Sequence, residues 1–119
     1  LIAFVDASSS GTPAVVAGDF NARQDSHQIG ALYAAGWIDT FRTAQPGEPG
    51  LTCCIADLTD ADQALSERID YIFLIPGDGT FSIVYSRVVF DQALPGREGP
   101  LWASDHAGLL TTLSTEPTP

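Results

Sequence analysis

A chain of 119 residues with 45% hydrophobic composition is long enough for one compact domain and too apolar to stay disordered. Fifteen acidic residues stand against five basic ones, a net charge of −10, which disfavours extended contact with a nucleic-acid backbone. No apolar run approaches the length of a membrane span, and the opening Leu1-Ile2-Ala3-Phe4-Val5 is too short, and lacks the basic flank, for a signal peptide. The absence of methionine, even at position 1, suggests a processed product or a piece of a longer chain.

Residues 1–5 read as a first strand or as the last turns of a helix, and the Ser/Gly/Pro-rich residues 6–13 as a loop. The run Ala14-Val15-Val16-Ala17, ending at a glycine, predicts a buried strand. Ser26 is placed to cap a helix reaching about Ala35, with Ile29, Leu32 and Tyr33 at helical spacing and Gly36 as its stop. Residues 37–41 return to extended structure, and the two Pro-Gly pairs in residues 43–50 mark a loop. Cys53 and Cys54 are neighbours; such pairs rarely bond to each other, so free thiols or bonds outside the chain are expected. Strands are expected over residues 69–75, around Phe81, Ile83 and Tyr85, and over residues 107–113, with a turn-rich connection at 91–100. A Ser/Thr/Pro-rich tail from Thr111 to Pro119 is expected to fray at its end. Strands outnumber helices, which makes a mixed α/β layered domain.

Three strand ends carry unusual polar clusters: Gly18-Asp19-Phe20-Asn21, Arg68-Ile69-Asp70-Tyr71 and Ser104-Asp105-His106. Loops fixed by a rigid scaffold are where sites are commonly built. Phosphoester hydrolysis needs an aimed water, neutralised phosphoryl oxygens and help for the leaving oxygen. Carboxylates can take the water's proton or hold Mg²⁺, and an imidazole or an amide can donate to a phosphoryl oxygen. Asp19, Asn21, Asp70, Asp105 and His106 supply those parts. Singly, each has a plainer reading: Asp19 and Asn21 as a tight turn, Ser104-Asp105-His106 as a cap, Asp70 paired with the nearby Arg68.

Together and in this order, the clusters resemble the late motifs of the endonuclease/exonuclease/phosphatase (DNase I-like) family. That family includes abasic-site endonucleases, DNase I-like nucleases, neutral sphingomyelinases and inositol-polyphosphate phosphatases. Gly36-Trp37-Ile38-Asp39-Thr40-Phe41 is also similar to the family's link after the first motif's helix, so the resemblance spans about residues 1–113. It implies half of a four-layer α/β/β/α sandwich, an α+β fold of mostly antiparallel strands with flanking helices. It implies a metal-dependent phosphoric ester hydrolase, a phosphodiesterase or phosphatase using Mg²⁺ or Mn²⁺. Asp19 would orient or deprotonate the water, Asn21 and His106 would bind the phosphate, and Asp70 would hold His106. Asp105 and Asp19 would serve the metal.

The family's early asparagine and its principal metal-binding glutamate have no counterpart here, and Glu48, Glu67, Glu98 and Glu116 lie in the wrong places for that role. Residues 1–119 are therefore expected to be the C-terminal portion of such a domain, a fragment inactive or nearly so alone. The missing N-terminal half, or self-association, would cover its exposed apolar face. The alternative is an inactive binding or scaffold module that keeps the fold. Residues 43–66 and 91–103 carry a single basic residue, Arg97, so a small or lipid phosphoester is favoured over a nucleic acid.

Overall fold

The computed structural model describes residues 1–79 and 81–115, so Glu116 and the last residues of the tail lie outside the described residues. Three helices and seven strands make up the described chain: α1 (Ile2–Ser9), β1 (Ala14–Asp19), α2 (His27–Ala34), β2 (Ile38–Asp39), α3 (Thr40–Ala44), β3 (Asp70–Ile75), β4 (Ser82–Val89), β5 (Leu94–Gly96), β6 (Gly99–Leu101) and β7 (Gly108–Ser114).

β3 is the organising strand. It runs antiparallel between β1 on one edge and β2 on the other. Side chains alternate across a strand, so Tyr71 and Phe73 face one way and Asp70, Ile72 and Leu74 the other. The Tyr71/Phe73 face packs against α1 and α2 through Val5, Ile29, Leu32 and Trp37, with Ala22 closing the cluster. Phe20, Tyr33 and Trp37 all meet the Phe73 ring edge-on. This aromatic core fixes which face of β3 looks away from the helices, and therefore where Asp70 points.

β4 and β7 form a second antiparallel pair that lies against α3 and β3. The seam contains a chain of buried hydroxyls. Thr40 Oγ1 donates to the Ile72 carbonyl at 2.9 Å and lies 2.9 Å from Thr111 Oγ1, which lies 2.8 Å from Ser86 Oγ. Each hydroxyl meets a polar neighbour, so burial costs little.

Several local expectations change. Residues 6–9 are helical: α1 continues to Ser9 and stops where Ser10 turns left-handed at φ 49 beside Gly11. Only Ile38 and Asp39 of residues 37–41 form a strand, because the Asp39 carboxylate accepts the Arg42 amide at 3.1 Å and caps α3. The connection at 91–100 contains the β5–β6 hairpin. Thr111 to Ser114 belong to β7 rather than to a tail. Cys53 and Cys54 are bonded to each other across a cis peptide, with Cα atoms 3.2 Å apart, instead of standing as free thiols or reaching a partner.

Candidate active site

The pairing of β1 with β3 sets Asp19 directly opposite Asp70 at the end of the ladder. Opposed residues of an antiparallel pair share a face, so both carboxylates leave the sheet on the side away from the helical core. Gly18, at φ 151, gives the backbone before Asp19 a conformation that L side chains rarely adopt. After Asp19 the chain turns sharply. Asn21 takes φ 47, tolerable for asparagine, and its amide donates to Asp19 Oδ1 at 2.7 Å. The turn thus fixes the Asp19 carboxylate, while Asn21 lines an open cavity of about 520 Å³ whose other walls include Arg23, Asp25, Ser26 and Glu67 but not Asp70 or His106.

His106 arrives from the far end of the chain, two residues before β7. Its Nδ1 lies 2.8 Å from Asp70 Oδ2. A carboxylate can only accept, so Nδ1 carries the proton and Nε2 is turned away from the pair. Ligand atoms of Asp19, Asp70 and His106 all lie within 4.8 Å of one another. Asp105 stands outside this trio; its Oδ1 accepts the Ser104 hydroxyl at 3.0 Å, and the same hydroxyl oxygen accepts the His106 amide at 3.2 Å. Three stretches separated by dozens of residues therefore meet at one strand end.

The electrostatics follow from that crowding. Two carboxylates opposed across a ladder repel, and a cation beside them relieves the repulsion. The hydrogen bond that Nδ1–H donates to Asp70 holds the His106 imidazole above its ordinary pKa. Partial burial works against this, while the charges of Asp70, Asp105 and Asp19 add to the upward shift.

Arg68 is not the partner of Asp70. Two residues earlier in the chain, it is 4% exposed and makes a buried ion pair with Asp39 at 2.6 Å. Its guanidinium lies between the rings of Phe41 and Tyr71, 5.1 and 4.8 Å from their centroids. Asp39 also accepts the Tyr33 hydroxyl at 3.0 Å. A buried arginine needs a carboxylate, and Asp39 in the Gly36–Phe41 stretch was the one to look for. Thr52 and Cys53, unassigned from the sequence, press against both halves of the site. The Thr52 carbonyl accepts the Ala107 amide at 2.7 Å, the Ile55 amide donates to the Asp105 carbonyl at 3.0 Å, and Cys53 forms backbone bridges to Glu67 and His106.

Comparison with known proteins adds one result. The model described as "Endonuclease/Exonuclease/phosphatase family" matches residues 1–106. The chain belongs to the endonuclease/exonuclease/phosphatase family. No curated protein and no solved structure matches it. Membership makes the chain part of a superfamily of phosphoester hydrolases that generally depend on a divalent metal. The α+β arrangement of mostly antiparallel strands with few helices agrees with the family's fold.

The residues present fit such a metal. Hard divalent cations prefer oxygen donors, and Mg²⁺ in particular takes one or two carboxylates and fills its remaining positions with water and substrate phosphate. Asp19 and Asp70 offer two opposed carboxylates whose repulsion a cation would cancel. His106 commits Nδ1 to Asp70, which leaves Nε2 as the ring nitrogen available to a ligand.

Proposed function

We propose that the chain carries the water-activating and phosphate-binding side of a divalent-metal-dependent phosphoester hydrolase. The observation that carries this reading is the 2.8 Å bond between His106 and Asp70, made beside an Asp19 that faces Asp70 across the ladder. Neither contact serves the aromatic core. Both gather charge at an open strand end, an arrangement with a ready chemical use.

Each side chain then has a role its geometry allows. The Asp19 carboxylate, steadied by the Asn21 amide, orients the attacking water and accepts its proton. The Asn21 side-chain amide donates to a phosphoryl oxygen and helps place the water. His106, with Nδ1–H committed to Asp70, presents Nε2–H to a phosphoryl oxygen as negative charge builds there. Asp70 fixes the ring and favours its cationic form. Water forms the new bond to phosphorus, the bond to the leaving oxygen breaks, that oxygen takes a proton from solvent water, and Asp19 afterwards returns to solvent the proton it accepted. A Mg²⁺ or Mn²⁺ ion held by Asp19 and Asp70, with Asp105 reached directly or through water, would supply Lewis-acid stabilisation of the phosphoryl oxygens.

For the substrate, the net charge of −10 and the lone Arg97 in residues 43–66 and 91–103 favour a small or lipid phosphoester over a polyanionic nucleic acid. The test is turnover of bis-p-nitrophenyl phosphate with Mg²⁺ or Mn²⁺ by the product of the full reading frame that encodes the chain. Asp19→Ala and His106→Ala should each lower kcat by about 10²–10⁴-fold, the range for a positioned acid or base. Unchanged turnover in both variants would overturn the reading.

A further inference from the structure

We infer that Thr52 is a positioning residue for the Asp70–His106 pair, a role that rests on the hydrolase reading above. Asp70 and His106 are 36 residues apart, and their contact depends on the start of β3 and the residues before β7 being held in one register. β1 fixes β3 from one edge. On the other edge β2 pairs only with Phe73 and Leu74, so it stops short of the first residues of β3. Thr52 fills that gap. Its Oγ1 accepts the amides of both Ile69 and Asp70 at 3.2 Å. Its carbonyl accepts the Ala107 amide at 2.7 Å, and its own amide donates to the Glu67 carbonyl at 2.8 Å. Thr52 is fully buried.

One residue therefore grips the backbone of the carboxylate on one side and the residue after the imidazole on the other. The hydroxyl is the selective part. A valine keeps the shape and every backbone bond but leaves two amides without an acceptor. The start of β3 would then settle elsewhere, and the Asp70 carboxylate would move relative to a ring that the Ala107 bond still anchors.

The test compares Thr52→Val, Thr52→Ala and Thr52→Ser in the full-reading-frame product, at a temperature where each variant is folded. Removing the hydroxyl should lower kcat by about 10–100-fold, the scale seen when a residue orienting a site's ligands is lost, with KM little changed. Thr52→Ser should recover most of the loss. In amide hydrogen exchange, Ile69 and Asp70 should lose protection in the valine and alanine variants and keep it in the serine variant, while Ala107 stays protected throughout. A merely structural threonine would lower the melting temperature but leave kcat alone in the folded variants, and that outcome overturns the proposal. So would a serine variant as slow as the valine one. No turnover by the unsubstituted protein would instead sink the hydrolase reading, and with it this role. If neither hydroxyl-free variant folds, exchange on the unsubstituted protein decides: an Asp70 amide as slow as that of Ala107 supports the clamp, and a fast one overturns it.

Discussion

At the residue scale, the pair of His106 and Asp70 ties the site's chemistry to its stability. Its imidazole pKa is raised in the folded chain, chiefly by the Asp70 hydrogen bond. A group whose pKa rises on folding stabilises the fold fully below its unfolded value, and that contribution fades as pH climbs through the folded value. Asp70→Asn should therefore cost more stability at about pH 5.5 than at about pH 8.5, values on either side of the ordinary imidazole pKa. Urea midpoints measured with a chelator present check this, and a penalty that grows with pH would refute it. Residue-level chemistry was also where the sequence spoke most clearly. A carboxylate inside the apolar run Ile69–Ile75 demands a partner, and Arg68 stood close by. The residues alone left Arg68 open as the partner, the family resemblance pointed to His106, and the fold has the His106 contact. Arg68 is drawn to Asp39 and two aromatic rings on one side of β3, while Asp70 exits on the side where His106 arrives.

At the element scale, the buried Arg68–Asp39 pair joins β2, α3 and the start of β3. Asp39 caps α3, accepts from Tyr33 and neutralises Arg68, so three elements share one carboxylate. Removing one partner of a buried ion pair strands the other, at a cost of about 3–5 kcal/mol. Arg68→Ala should destabilise the fold by that amount in denaturant titration, and a loss below about 1 kcal/mol, as for an exposed pair, would contradict the assignment. Element boundaries were readable where a cap was conspicuous. Ser26 accepts the Ile29 amide at 3.3 Å and starts α2 one residue later, as expected. They were not readable where one side chain had several tasks. Asp39 caps α3 inside a stretch whose aromatic and β-branched residues suggest a strand. The β5–β6 hairpin was hidden by its prolines, Pro95 and Pro100, which face each other in a two-stranded ribbon outside the main sheets.

At the scale of the whole molecule, the helices cover one face of the β1–β3–β2 sheet and leave the other partly open. Val15, on the same face of β1 as Asp19, is 52% exposed. Charge is unevenly useful across that surface. Residues 57–62 hold a second set of carboxylates, Asp57, Asp60 and Asp62; Asp57 accepts the Thr59 amide, and Asp60 accepts the Asp62 amide and the Gln63 side-chain amide. Only the trio at the strand ends combines opposed carboxylates with an imidazole among the described residues. The overall α+β class was legible because strand and helix periodicities differ, and the convergence of residues 19, 70 and 106 was legible only through the order of the three motifs. Paramagnetic broadening by Mn²⁺ tests that convergence most directly. At low Mn²⁺, resonances of Asp19, Asp70 and the His106 ring should broaden first, and Asp19→Asn should abolish the effect. Broadening centred on residues 57–62, or unchanged by Asp19→Asn, would contradict a single metal and phosphate site at the strand ends.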